Sequence, residues 1–299
     1  MAECLSHIRV LDLSRVFSGP WTGQMLADLG ADVIKVERPG RGDDVRHQGY
    51  RAKDQDGNET PETSSFLAMN RGKRSISINM SVPEGQALIK ELVKQCDVLI
   101  ENFKAGDLVR YGLDYESLKQ INPKLVYCSI TGFGQSGPYS HRPGYDPIFQ
   151  SMSGLMSLTG NAPDEPGGGP QKVGYAVSDL TAGFYAIIGI LSALNYRDAV
   201  SGKGQYIDVA LFDAQLASIS HVAMNYLISG QLPQRMGTAS PITCPYQAFE
   251  CSDGHLMIAV GNDSQFRQLA EILGMPELAD DPRFNLNRLR AQNQKVLIP

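Results

Sequence analysis

The sequence predicts an α/β protein: a doubly wound, mostly parallel, Rossmann-like sheet, followed by the start of a second, smaller α+β domain. Three observations carry this prediction. A strand–helix–strand unit opens the chain, the same alternation recurs through residue 130, and the composition shifts near Ser229-Gly230 into a Pro-rich stretch that runs to Pro245. In order, Ile8 to Leu13 alternates apolar and polar, as a short strand does. Trp21 to Leu29 carries Met25, Leu26 and Leu29 at helical spacing, with Gly30 placed to end the helix. Val33 to Val36 is a second strand, and parallel strands so joined need a crossover helix between them. Then come strand Ser75 to Asn79, helix Pro83 to Gln95, strand Val98 to Ile100, helix Tyr115 to Gln120 and strand Leu125 to Ile130. Pro83 falls in a first helical turn, where its missing N–H costs nothing. The longest apolar run, Leu180 to Leu194, reads as a buried helix. Arg41 to Thr63 reads as a polar excursion between elements, and Asn161 to Pro170, with three consecutive glycines, as a loop. The expected domains are residues 1–229 and 230–299, the second expected to be truncated, because a new helix over Arg288 to Leu297 has barely formed when the chain stops at Pro299.

Composition narrows the function. The chain has 299 residues, 42% hydrophobic and 20% charged, as in ordinary globular proteins. Its 27 Lys and Arg against 32 Asp and Glu argue against a general nucleic-acid binder, which usually needs a basic face. Five dispersed cysteines without a C-x-x-C pair are neither a disulfide framework nor a zinc site, and point to the reducing cytoplasm. The five histidines show no ligand spacing, so no metal site is expected. The first residues have no basic, apolar leader, and no window of roughly 18 uncharged apolar residues suggests a membrane span.

Gly132-Phe133-Gly134-Gln135-Ser136-Gly137 is a literal G-x-G-x-x-G directly after a strand. It runs into Pro138, Pro143 and Pro147, so the helix needed to hold a pyrophosphate cannot follow, and it reads as a glycine-rich turn. No G-x-S-x-G elbow, H-E-x-x-H or Walker A sequence is present. Asp179, at the mouth of the most apolar helix, has two readings. It complements the helix dipole, or it is a nucleophile kept ionised by that position, with nearby N–H groups to receive a developing oxyanion. Ala182, Ala186, Gly189 and Ala193 would let this helix approach the sheet closely.

Several segments together are similar to one family. Val10-Leu11-Asp12-Leu13-Ser14-Arg15-Val16-Phe17-Ser18-Gly19-Pro20 resembles the opening of the class III coenzyme A transferases, the formyl-CoA and carnitine-CoA transferase family. Gly30-Ala31-Asp32-Val33-Ile34-Lys35-Val36-Glu37, Gly42-Asp43-Asp44, Asn70-Arg71-Gly72-Lys73-Arg74, Glu101-Asn102-Phe103, Gly144-Tyr145-Asp146 and Gly202-Lys203-Gly204-Gln205 match in the same order. The resemblance implies that Asp179 attacks an acyl-CoA thioester to give an aspartyl anhydride, and that CoA then forms an aspartyl-CoA thioester with it. Coenzyme A and acyl-CoA would be substrates, with no cofactor bound permanently. It also implies CoA contacts for Val16, Phe17 and Ser18 near the nucleophile, Arg38 and Arg110 at the phosphates, Ile78 and Asn79 beside the adenine, and the turn at Asn102 and Phe103, with Arg142 and Tyr145 completing the site. Family members are interlocked homodimers, usually about a hundred residues longer than this chain.

Tyr145 separates two branches of the resemblance. The related α-methylacyl-CoA racemases carry His there as an acid–base group, and a tyrosine titrating near 10 is a poor base at neutral pH. Gly237-Thr238-Ala239-Ser240 and Pro245-Tyr246-Gln247-Ala248-Phe249 resemble the branch using succinyl-CoA and dicarboxylic acids such as glutarate. The expected function is thus CoA transfer from an acyl-CoA, succinyl-CoA foremost, to a free carboxylic or dicarboxylic acid. The alternatives are a racemase-like enzyme and a non-catalytic CoA-binding fragment.

Overall fold

The computed structural model describes residues 3–298. Met1, Ala2 and Pro299, on which the readings of a missing leader and an unfinished end partly rest, lie outside them. The chain divides into two compact units. The first runs to Ser153 and resumes over Gly174–His221; the second comprises Gly154–Val173 and the chain from Val222 onward. The division thus falls some residues before Ser229-Gly230, and the glycine-rich excursion belongs with the second unit.

In the first unit β1 (Arg9–Asp12), α1 (Ser18–Asp28) and β2 (Asp32–Glu37) form the expected opening unit. Gly30, just beyond α1, takes φ 99°, the left-handed turn a glycine allows at no steric cost. The polar excursion contains a short hairpin, β3 (Arg51–Lys53) and β4 (Glu59–Thr63), which leads into α2 (Ser64–Asn70). Then follow β5 (Arg74–Ser77), α3 (Pro83–Val93), β6 (Val98–Glu101), α4 (Tyr115–Leu118), β7 (Val126–Thr131), α5 (Asp146–Met152), α6 (Val177–Tyr196), β8 (Tyr206–Ala210) and α7 (Leu211–Ser218). Helix α8 (Ser220–Ser229) follows.

Six strands pair in the order β5-β2-β1-β6-β7-β8, every pair parallel. Alternation along them sends side chains to two cores. Val10, Val33, Val98, Ile100 and Val126 meet Leu26 of α1 and Ala182, Ala186 and Ile190 of α6 on one face. Leu11, Leu13, Val36 and Leu99 meet Ile89 and Val93 of α3 and Leu118 of α4 on the other. Chain order reverses between β1 and β6, and a crevice opens there at the strands' carboxyl ends, where open α/β sheets bind ligands.

Val177–Ser201 is long and apolar enough to cross a membrane, with mean hydropathy 1.6, contrary to the expectation that no such window exists. Its Ala182, Ala186 and Ile190 are fully buried in the first core, so here it packs as a core helix.

The second unit holds an antiparallel hairpin, β9 (Tyr246–Cys251) and β10 (Gly254–Ala259), with α9 (Asp263–Ile272). Phe266, Ala270, Ala279 and Phe284 form its small core. The expected helix over 288–297 is broken at Asn293 into α10 (Asn287–Gln292) and α11 (Gln294–Leu297).

Candidate active site

The site is built on the turn between β1 and α1. Beyond Asp12 the chain passes through Ser14, Arg15 and Val16, and Val16 takes φ 72°, a conformation a β-branched residue rarely adopts. Asn102, just past β6, fastens this turn. Its Oδ1 accepts from the Arg15 N–H at 2.8 Å, and its Nδ2 donates to the Arg15 carbonyl at 2.6 Å. The first turn of α1 then approaches so closely that a side chain at Gly19 would lie 2.2 Å from the Ser14 Cβ. Together these fix Ser18 at the start of α1.

Asp179 enters from the opposite side, in the first turn of α6. The N-cap of α6, Ala176, provides no side-chain acceptor. A buried carboxylate from α5 supplies one instead: Asp146 Oδ1 accepts from the Ser178 N–H at 2.7 Å, and Asp146 Oδ2 accepts from Gln150 Nε2 at 2.5 Å. The Ser178 hydroxyl bonds to Gln215 Oε1 of α7 at 2.9 Å, tying the same turn down from another helix.

Asp179 is half-buried, and burial, seconded by the Asp146 charge, raises its carboxyl to about 6. The Ser18 hydroxyl and N–H, in the same cavity wall, favour the ionised carboxylate and oppose that rise. The helix terminus alone therefore does not set its ionisation, as the sequence reading supposed: desolvation exceeds the opposing contacts. A half-buried carboxyl raised in this way, in a cleft, is a candidate functional group.

Asp179 lies in a cavity of about 220 Å³ whose walls include Val16, Phe17, Ser18, Asn102, Phe103, Arg142 and Tyr145. Tyr145 is 76% exposed, and the Arg142 guanidinium lies 4.2 Å from the Tyr139 ring centroid. A second cavity of about 380 Å³, within the range of small-ligand sites, shares Phe103 and is walled by Arg38, Asn79, Arg110 and Tyr111. Arg38 Nη2 stands 2.6 Å from Asp44 Oδ1, and Arg110 lies over the Tyr111 ring at 4.7 Å. Ile78 is the exception. It is 5% exposed and packed in the core, so its side chain walls neither of these cavities, whereas its neighbours Asn79, Met80 and Ser81 line the larger one.

Sequence reasoning missed Arg15 and Asp146 as site residues. Arg15 sits in the wall of the larger cavity, 4.9 Å from the Phe103 ring centroid and 3.7 Å from Asp44. Its signal was available, since it is the one charged residue between Leu13 and Pro20. Asp146 acts across 32 residues of sequence, a separation no local pattern reveals. After Thr131 the glycine-rich segment turns, with φ 81° at Gly134 and 95° at Gly137, and no helix begins before Asp146. A pyrophosphate-holding helix end is thus not formed there.

Known proteins resemble this chain over most of its length. The family model described as CoA-transferase family III matches residues 5–299. The chain is 52% identical to the succinate–glutarate CoA-transferase of Agrobacterium fabrum, over 97% of this chain and 71% of that protein. It is 46% identical to the succinyl-CoA:glutarate CoA-transferase of Mus musculus, over 98% of this chain and 65% of that protein. The chain therefore spans about two thirds of the length of these relatives. A crystal structure of a CAIB/BAIF family protein from Brucella suis, 51% identical, superposes with a TM-score of 0.83 over 97% of this chain and 75% of that one.

Proposed function

The chain belongs to CoA-transferase family III, and from that membership we propose that it moves CoA from an acyl-CoA, succinyl-CoA foremost, to a free dicarboxylic acid such as glutarate. The observation that carries the reading is Asp179 itself: a half-buried carboxylate beside Ser18, in a cavity that shares Phe103 with a larger, arginine-bearing one. In the first step an Asp179 oxygen attacks the thioester carbonyl; the C–S bond breaks, CoA leaves as thiolate, and a mixed anhydride remains. The thiolate then attacks the Asp179 carbonyl, releasing the donor acid as carboxylate and leaving an aspartyl-CoA thioester. The acceptor carboxylate attacks that thioester, forming a second anhydride and freeing thiolate. Thiolate attack on the acceptor's carbonyl gives the new acyl-CoA and restores Asp179.

A carboxylate suits this exchange because an anhydride retains the activation of the thioester, whereas a serine ester is too stable for a carboxylate to displace. Asp179's raised carboxyl strengthens it as a nucleophile, yet leaves it ionised at neutral pH. The Ser18 N–H and hydroxyl are also positioned to receive negative charge developing on the acyl oxygen as Asp179's own charge is consumed. The larger cavity suits the nucleotide end of CoA, where Arg15, Arg38 and Arg110 offer planar forks to phosphate. Phe103, shared by both cavities, marks the path along which the thioester arm would pass.

The interlocked homodimer belongs to the same proposal, supported by Phe184, Tyr185 and Ile188 of α6, large apolar side chains left exposed. So does a reducing, cytoplasmic setting, supported by five unpaired cysteines. The test is a panel of acids assayed for CoA exchange from succinyl-CoA, with Asp179→Ala beside the parent. Exchange to dicarboxylates that Asp179→Ala loses supports the reading; α-proton exchange without CoA exchange contradicts it.

A further inference from the structure

Two buried ion pairs lie beneath the β1–α1 turn, and no step of the transfer chemistry uses them. Lys35 Nζ meets Asp43 Oδ2 at 2.8 Å, with side chains 1% and 0% exposed. Lys73 Nζ meets Asp12 Oδ2 at 2.8 Å, with side chains 2% and 0% exposed. Lys35 and Asp43 back the wall of the larger cavity, yet at that burial neither is free to meet a ligand.

A buried ion pair is poor evidence of stabilisation, since well-packed hydrophobic residues of similar volume serve as well or better. What hydrophobic residues cannot do is hold backbone polar groups, and most of the other hydrogen bonds of these pairs go to one stretch of backbone, the exceptions being Lys73 Nζ to Asn70 Oδ1 at 2.9 Å and the Val45 N–H to Asp43 Oδ1 at 3.2 Å. Lys35 Nζ donates to the Ser14 carbonyl at 2.9 Å, and Asp43 Oδ1 accepts from the Val16 N–H at 3.1 Å. Asp12 Oδ1 accepts from the Ser14 N–H at 3.0 Å and from the Ser14 hydroxyl. Lys73 Nζ donates to the Pro20 carbonyl in the first turn of α1, at 2.8 Å. Helix α1 leaves space for this pair: a Cβ at Gly23 would lie 2.8 Å from Asp12 Oδ2 and 3.1 Å from Lys73 Nζ. The tethered segment contains the one non-glycine residue with positive φ among the described residues, Val16. Strained backbone of this kind persists only where its surroundings over-determine it.

We propose that Lys35, Asp43, Lys73 and Asp12 are positioning residues: the two pairs hold Val16 in its left-handed conformation and so keep Ser18 beside Asp179 in the wall of the smaller cavity. The placement rests on the reading of Asp179 as the nucleophile, and its consequence is a change in how that carboxyl titrates.

The test is a carboxyl-¹³C NMR titration of Asp179, assigned by the signal lost in Asp179→Asn. Lys35→Met/Asp43→Leu removes both charges together, so neither is left buried alone, and Asp146 remains in place. With Ser18 released, the Asp179 titration moves up by about one pH unit. Adding Val16→Gly, which takes positive φ without strain, returns most of that shift. An Asp179 titration that stays put in the folded double variant, or a shift that Val16→Gly does not reverse, overturns the proposal. Val16→Gly alone covers the case in which the double variant does not fold: relief of strain predicts a raised Tm with the titration in place, and a lowered Tm overturns the proposal. Failure of the nucleophile reading is seen separately, as loss of no exchange activity in Asp179→Ala.

Discussion

Ser18→Ala isolates the contact that tunes the Asp179 carboxyl. The change removes the hydroxyl beside Asp179 while leaving the Ser18 N–H and the helix around it. A full hydrogen bond to a charged group contributes about 1.5–3 kcal/mol, and the lower end bounds the Ser18 contact because Asp179 is only half-buried. About 1.4 kcal/mol corresponds to one pH unit, so the carboxyl, at about 6 in the parent, titrates about one unit higher in the variant. In the proposed mechanism the ionised form attacks, so activity is lost as pH falls through this value. At pH 6 the ionised fraction drops from about one half to about one eleventh, an approximately five-fold loss of rate, while at pH 8 the two proteins converge. The assay is kcat/KM for CoA exchange from succinyl-CoA between pH 5 and 8, read as the position of the acid limb. A loss of the same size at every pH, or an acid limb that moves down, refutes the assigned role of the hydroxyl.

Asp146→Asn works in the opposite direction. It keeps an oxygen to accept from the Ser178 N–H but removes the neighbouring charge that, after burial, raises Asp179's titration, so the acid limb moves down by less than about one pH unit; an upward shift contradicts this. Arg38→Ala and Arg110→Ala each raise KM for succinyl-CoA about ten-fold with kcat little changed, if their forks hold phosphate in ground and transition states alike; a fall in kcat at constant KM speaks against it. Glu37 tests the fold beneath the site. Burial alone would raise its carboxyl, but hydrogen bonds from Arg46 at 2.7 and 2.8 Å, Ser75 at 2.6 Å and the Asp43 N–H at 2.9 Å hold it at about 2. Its folded value lies below the unfolded 4.5, so its contribution is full above about 4.5 and lost as pH falls toward 2. That contribution is roughly 3 kcal/mol, and in Glu37→Gln the acid-side fall in Tm should flatten over that window.

Much of the sheet was legible because local pattern and tertiary position agree in it. Val10, Val33, Val98 and Val126 lie in short runs bounded by turn residues, and each run is a strand of the parallel sheet. The hairpin of β3 and β4 was not legible, since Arg51–Lys53 and Glu59–Thr63 are polar and pair at the surface without an apolar face. Strand β8 was missed for a related reason: Tyr206 and Asp208 interrupt its apolar residues, and pairing with β7 completes it. At the site, Asp179 and the Val16-Phe17-Ser18 segment stood out through their motif. The tethers did not. A lysine within the strand Val33 to Val36 and an aspartate at the end of the first strand look like ordinary solvent-facing residues until the fold buries them. Ile78 shows the converse, a residue placed at the ligand by resemblance whose apolar side chain turns into the core.

The central claim is that Asp179 becomes covalently activated, and trapping that species tests it most directly. The protein is incubated with succinyl-CoA and hydroxylamine, digested and mapped by mass spectrometry. The account predicts a hydroxamate at Asp179 that depends on succinyl-CoA and is absent from Asp179→Ala. A hydroxamate at another acidic residue, or CoA exchange that proceeds with Asp179 unmarked, contradicts it.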